Sequence, residues 1–192
     1  MTRLVSLLCV AAASLAGCGY HLEGAGSSLP GDVQTIAIEL LRNESLYEGV
    51  EADFTAALID QFARGRKVQV VDDTTQADAL VRGIIFRVLN RAVSFSSSDE
   101  VVEFELIVQA AVGLQRQSDG KILWRDTNLV VREEYAATSE AVVTNSPDFV
   151  TRSSSIDDLA TIQVTEAEQR EAVDRAARQF ARTVYLRMLE DF

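Results

Sequence analysis

The stretch that decides the fold is Val102-Glu103-Phe104-Glu105-Leu106-Ile107-Val108-Gln109-Ala110-Ala111-Val112-Gly113-Leu114. Val102, Phe104, Leu106, Val108, Ala110, Val112 and Leu114 recur at every second position, and Glu103, Glu105, Gln109 and Gln115 fall between or beside them. Successive side chains of a β-strand point to opposite faces, so this spacing reads as one long strand with one buried and one wet face. Asp119-Gly120 carries a tight-turn signal, and Lys121 to Tyr135 then reads as the returning hairpin partner. On the N-terminal side, Ala79 to Phe95 is a third long β segment, apolar on both faces except where Arg82, Arg87 and Arg91 break it.

Further toward the N-terminus, Val33 to Glu39 (VQTIAIE) alternates and is β-branched, which predicts a first strand. Leu46, Val50, Phe54, Ala57/Leu58 and Phe62 follow at three-to-four-residue spacing and give a helix one apolar face, with Gly65 where a C-terminal cap would fall. Lys67 to Val71 predicts a short strand, so strand, helix and strand suggest a right-handed parallel crossover. Beyond the hairpin, residues 136–164 lack periodicity and contain Asn145-Ser146-Pro147-Asp148, which reads as a long loop or lid with one helical turn at most. Thr165-x-x-Glu168 forms a capping box for a last helix. Its stripe is Val173, Ala176/Ala177, Phe180, Val184 and Met188, widened by Ala181, Tyr185 and Leu189, and fits core packing better than a cofactor site. The order β-α-β-β-β-β-α predicts an α+β two-layer sandwich. Two helices would pack on one face of a mixed, mainly antiparallel four- to five-stranded sheet.

The N-terminus carries a different message. Arg3 precedes an apolar run from Leu4 to Ala16, too short for the about 20 residues that cross a bilayer. A basic start, a short apolar core and small residues at its end form an export signal. The run closes on Leu15-Ala16-Gly17-Cys18, which resembles the lipobox of bacterial lipoproteins, in which the cysteine sulfur takes a diacylglycerol and cleavage leaves the cysteine first. The alternative is an ordinary secretory signal with a chance cysteine. The organisation expected is a signal peptide over 1–17, a flexible Gly/Ser/Pro-rich lead over 18–31, and one domain over 32–192. Cys18 is then the lipid attachment site and the protein's only covalent group; no cofactor is expected. At about 0.8 kcal/mol per buried methylene, several acyl chains hold durably where one would not. Gly19, in place of the aspartate that retains enteric lipoproteins at the inner membrane, fits sorting to the outer membrane, on its periplasmic side.

Composition removes several classes of function. A net charge of −11 repels nucleic acid, so no nucleic-acid partner is expected. The single histidine, His21, sits beside the anchor and far from any pocket a Ser-His-Asp triad would need. With one histidine, and with Cys9 removed and Cys18 acylated, a zinc site would need carboxylates almost alone, which zinc disfavours, so no metal ligands are assigned. Neither G-x-x-x-x-G-K-[ST] nor G-x-G-x-x-G occurs. Glu133-Glu134 could be read as paired catalytic acids, but neighbours on a strand point to opposite faces and cannot converge on one atom. The expectation is a protein without catalytic residues.

Cys18-Gly19-Tyr20-His21-Leu22, followed by Gly24, Leu29-Pro30, Val33 and Ile36-Ala37-Ile38, resembles the opening of the LptE family of lipopolysaccharide-assembly lipoproteins. The likeness extends through Arg64-Gly65, Ala77-Asp78-Ala79-Leu80, Gly120-Lys121-x-Leu123-Trp124 and the closing amphipathic helix. It implies two helices on a four-stranded sheet and a non-catalytic plug or chaperone role in the LptD-like outer-membrane β-barrel. It also implies lipopolysaccharide as a ligand. Two features depart from the family pattern: the long 136–164 segment, and the strongly acidic charge, with Ser96-Ser97-Ser98-Asp99 at the hairpin tip offering no base. For lipid A phosphates the candidate bases are Arg87 and Arg91 on one strand face and Lys121, Arg125 and Arg132 on the returning hairpin, since arginine forks match phosphate geometry. The plainer alternative is that these bases pair with Glu103, Glu105 and neighbouring acids. Two other functions compete: an auxiliary or substrate-carrying lipoprotein of another envelope transporter, expected to show a long apolar groove between sheet and helices, and a lipid-anchored hydrolase.

Overall fold

A computed structural model of the chain describes residues 29–97, 101–136 and 156–190, with side chains of the last stretch from 166 onward. The expected signal peptide, Cys18, His21 and the hairpin tip at 98–100 lie outside the described residues. The elements are β1 (Thr35–Ile38), β2 (Arg42–Asn43), α1 (Val50–Gly65), β3 (Gln69–Val70), a 3-10 turn (Thr74–Gln76), β4 (Ala79–Phe95), β5 (Val101–Arg116), β6 (Ile122–Ala136) and α2 (Ile156–Glu190). The sheet runs β3-β1-β4-β5-β6, with the short β2 also pairing to β4. β1 is parallel to β3 and β4, whereas β4, β5 and β6 form an antiparallel meander. Both helices pack on one face of this mixed sheet, the α+β arrangement expected from the sequence.

The core lies between that face and the helices. Phe54, Leu58 and Phe62 of α1 meet Phe180, Val184 and Met188 of α2, all fully buried, over Ile36, Val81, Ile85, Leu106, Leu114 and Leu129 of the strands. Phe54 and Phe180 tilt against each other with ring centroids 5.1 Å apart. Aromatic pairs of this kind add about 0.5–1.5 kcal/mol beyond the area they bury. Leu29, inside the expected lead of 18–31, is already buried in this core.

Four boundaries differ from the sequence reading. α1 starts at Val50, after Gly49 in the left-handed region (φ 86), and Leu46 is fully exposed although it matches the helical spacing. At the other end the left-handed residue is Arg66 (φ 53), with Gly65 as the last helical residue. Gly65 is required there for space: a Cβ would stand 2.2 Å from the Tyr185 hydroxyl, which donates to the Gly65 carbonyl at 3.2 Å. α2 begins at Ile156 and runs through the Thr165-x-x-Glu168 box, so the box is not a terminus. A capping box is a local pattern and marks a terminus only where the helix has not already begun. Finally, β2 has only two residues, too short for any alternation to register.

Candidate functional site: the uncovered face of the sheet

Register places each strand residue on one of two faces. Val81↔Leu114↔Trp124, Ile85↔Ala110↔Leu129 and Val88↔Val108↔Val131 point to the helices. Ion pairs from α2 agree with this assignment: Arg175 reaches Glu133 at 3.6 Å and Arg187 pairs with Asp126, both on the covered side. The opposite face carries Leu80↔Gln115↔Ile122, Arg82↔Gly113↔Arg125, Ile84↔Ala111, Arg87↔Gln109↔Val130, Leu89↔Ile107↔Arg132 and Arg91↔Glu105↔Glu134. No helix covers it.

Five arginines on one face cannot come from plain alternation. Arg82 and Arg87 are an odd number of residues apart, as are Arg125 and Arg132, so unbroken strands would put each pair on opposite faces. Two register shifts remove the conflict. β4 carries an extra residue between Ile85 and Arg87, and β6 carries one opposite Ala110 to Val112. A bulge inserts an unpaired residue and re-aims the side chains beyond it. Because both bulges flank the same level of β5, all five guanidinium groups emerge on the open face. The β6 bulge is held locally by Asp126, which accepts from the Asn128 N–H at 2.9 Å and pairs with Arg187 of α2.

The charges on this face are partly matched. Glu39 takes Arg82 in a two-point pair, Oε2 from Nε at 2.8 Å and Oε1 from Nη2 at 2.7 Å, and Gln115 accepts a third bond from Nη1 at 2.8 Å. The hydrogen bonds to Glu39 raise the Arg82 pKa above its ordinary value. Glu105 is buried between two arginines: Arg91 donates to it from Nε and Nη2 at 2.8 and 2.7 Å, and Arg132 lies at 3.8 Å. Glu105 thus ties β4, β5 and β6 across the open face. Arg87, Lys121 and Arg125 have no ion-pair partner among the described residues. Near Arg82 and Arg125 lies an open cavity of about 390 Å³ with Ile84, Ala111 and Gly113 among its lining residues. A Cβ at Gly113 would come within 3.3 Å of the Trp124 carbonyl and 3.7 Å of the Arg125 side chain, so glycine keeps this floor low.

Of the residues singled out from sequence, Arg87, Arg91, Arg125 and Arg132 thus share one face, in two groups. Arg91 and Arg132 meet at Glu105, whereas Arg125 stands across Gly113 from Arg82. Lys121 stands apart at the β5–β6 turn, where its carbonyl accepts from the Arg116 N–H. Arg82 belongs to the face and is not among the candidate bases read from sequence, because only the bulge after Ile85 brings Arg87 and Arg91 onto the same face. Glu105 pairs with bases as the plainer reading expected, while Glu103 has no ion-pair partner among the described residues.

Between the helices and the sheet the largest described side chains are fully buried, and the open spaces of about 440 and 760 Å³ on that side run along α1 and α2, lined by Arg64, Arg178 and Arg182 and by Asp53, Arg170 and Asp174. Among the described residues there is no group of three or more histidine, cysteine or acidic side chains able to hold a metal. Nor, among them, is any helix long and apolar enough to cross a membrane.

Comparison with known proteins adds the last observation. The family model for LptE, lipopolysaccharide-assembly, matches residues 33–188. A search of the curated proteins matched none. Similar solved structures include a protein from Caulobacter crescentus assigned to the lipoproteins (15% identity, TM-score 0.47, covering 78% of this chain and 88% of that one). Lipoprotein B of Nitrosomonas europaea is 19% identical with a TM-score of 0.45, covering 86% of this chain and 90% of its own. Rare lipoprotein B of Shewanella oneidensis is 18% identical with a TM-score of 0.41, covering 76% and 92%.

Proposed function

Because the chain belongs to the LptE family of lipopolysaccharide-assembly proteins, we propose that it is a lipid-anchored accessory of lipopolysaccharide assembly that works within an LptD-like outer-membrane β-barrel. The match over residues 33–188 carries this reading. In it, Cys18 bears the acyl chains, residues 18–31 lead from them, and the domain faces the periplasm. The role is to plug the barrel and help it assemble, with no catalytic step and no cofactor.

The geometry supports a plug over a carrier. A carrier needs a cavity for acyl chains between its layers, and here Phe54, Phe62, Phe180 and Met188 fill that space. What remains for interaction is the open face, where arginines alternate with Ile84, Leu89 and Ile107. Arginine forks take phosphate or carboxylate in pairs, and the apolar residues between them suit a surface that is wet on one side and greasy on the other. Arg87 and Arg125, which lack an ion-pair partner among the described residues, are the arginines best placed for a lipid A phosphate, with Arg91, Arg132 and Lys121 as weaker contributors.

Depletion tests the reading. It should lower the level of correctly assembled barrel and let large hydrophobic antibiotics enter the cell. An unchanged barrel level together with an intact permeability barrier would point instead to an auxiliary of another envelope transporter. For the lipid, saturable binding of purified lipopolysaccharide should weaken with salt and fall in an Arg87→Ala, Arg125→Ala double variant. Binding that ignores both changes would leave those residues as surface charge.

A further inference from the structure

β4 is paired unequally along its length. Over Ala79–Ile85 it has β5 on one side and β1, then β2, on the other. The last backbone bond on that second side runs from the Glu44 N–H to the Ile85 carbonyl, 2.8 Å. From Phe86 to Phe95 β4 pairs with β5 alone, so among the described residues its outer edge is unpaired. A row of unpaired N–H and C=O groups is a template for another strand. The bulge settles which groups these are. The Ile85 carbonyl points outward, pairing alternates between the two sides of an antiparallel strand, and one extra residue follows at Phe86. The outward backbone groups beyond it therefore belong to Val88, Asn90 and Ala92.

The side chains beside this edge have a distinct character. Phe86, Leu89, Val93 and Phe95 are 43, 44, 39 and 58% exposed, four large apolar groups within ten residues. Between them stand Arg87, with no ion-pair partner among the described residues, and Arg91, which shares one carboxylate with Arg132. The edge is therefore cationic in a chain whose net charge is −11. A second copy pairing antiparallel about Leu89 would set Arg87 against Arg91, and like charges directly opposite are destabilising. The same charges suit a strand that carries acids.

We propose that the outer edge of β4, from Phe86 to Ala92, receives an extended acidic segment of a partner protein as an added strand. The segment would place two carboxylates four residues apart beside Arg87 and Arg91, with an apolar residue between them next to Leu89. Its backbone would pair with Val88, Asn90 and Ala92. Main-chain bonds supply affinity in this mode of recognition, and the alternate side chains supply selectivity. The edge lies apart from the cavity at Arg82 and Arg125 and needs no barrel partner. It draws on Arg87 and Arg91, which the lipid reading also uses, but the Val88→Pro backbone change tests strand addition without touching either arginine.

The test uses the full-length chain in mild detergent and a fluorescent peptide, Thr-Thr-Glu-Thr-Val-Thr-Glu-Thr-Thr, with a control in which lysine replaces both glutamates. The acidic peptide should bind saturably and about tenfold or more tighter than the control, since like-charge juxtaposition penalises the wrong partner. Val88→Pro removes an outward N–H that β5 does not use, and should abolish binding while the thermal midpoint stays within a few degrees of the parent. Should Val88→Pro fail to fold, Arg87→Glu, a change at an exposed side chain, should reverse the preference between the two peptides. The proposal is overturned if neither peptide binds, if both bind equally, if Val88→Pro folds and binds as the parent does, or if Arg87→Glu leaves the preference unchanged.

Discussion

The two faces of the sheet are made by the same three long strands and have opposite chemistry. On the covered face, Leu106, Val108, Ala110, Val112 and Leu114 lie under Phe54 and Phe180 and are almost wholly shielded from water. On the open face the corresponding residues of β5 are Glu105, Ile107, Gln109, Ala111 and Gly113, bordered by arginines from β4 and β6. One face is held by packing volume and the other by paired charge over small residues. A protein that only needed to stay folded would have covered both or made the second uniformly polar. Among the arginines Leu89 is exposed and Ile84 partly so, whereas Ile107 is buried beneath them, and the proposed contacts draw on the exposed groups.

That contrast makes graded predictions. Phe180→Ala on the covered face removes a fully buried ring and its Phe54 contact, and should cost about 3–5 kcal/mol in chemical denaturation. A loss under 1 kcal/mol would mean the covered face is not the main source of stability. Gly65→Ala, at the same interface, pushes a methyl into the Tyr185 ring and should cost about 1–3 kcal/mol. Adding Tyr185→Phe should relieve only part of that clash, because it removes the hydroxyl at 2.2 Å but leaves ring atoms within 2.5 Å of the new Cβ.

A third test lies off both faces. Asp78, just before β4, accepts from the N–H groups of Thr35 and Gln34 and from the Thr35 hydroxyl, at 2.8, 2.9 and 2.8 Å. These bonds, the Thr35 N–H first, hold its pKa below the ordinary 3.8. A depressed folded-state value means that the carboxylate's contribution is fully present above pH 3.8 and is lost as the pH falls through the lower folded value. Asp78→Asn should therefore be less stable than the parent at neutral pH, and the difference should shrink in acid. A difference that stayed constant with pH would place the effect in side-chain shape. The smallest change is expected on the open face, where Leu89→Ala should alter stability by no more than about 0.5 kcal/mol. If it costs as much as Gly65→Ala, the open face contributes to the fold and is not reserved for contact.

Much of this was legible in the residues. The alternation from Val102 to Leu114 gave the register of β5, and the Phe54, Leu58 and Phe62 spacing and the stripe to Met188 gave the faces of both helices. What could not be read follows one physical theme: period-based reading assumes an unbroken period. Ala79 to Phe95 looks apolar on both faces partly because the bulge at Phe86 changes which parity is buried. It also does so because Leu80 joins a second small cluster with Ala37 and Ala77 on the far side. Arg82 is not among the candidate bases for the same reason, since counting by twos separates it from Arg87. Leu46 fits a helical period by coincidence and is fully exposed. Thr165 and Glu168 form a capping pattern inside a helix that had already begun. In each case a signal spanning four residues was outweighed by structure on either side.

The pairing of Phe54 with Phe180 has a consequence in time as well as in space. These rings sit in the two helices, more than half the chain apart, and α2 follows every other described element. Local contacts can zip the β4–β5–β6 meander as soon as each turn is formed, but a long loop must close before the aromatic pair can lock. Until α2 is complete, the apolar undersides of α1 and the sheet have no lid. A nascent chain is then a half-shell, exposed to proteases and to sticking, with its safety resting on the α2 stretch, Ile156–Glu190. Loss of that stretch would leave a chain that begins to fold correctly and has no means of finishing.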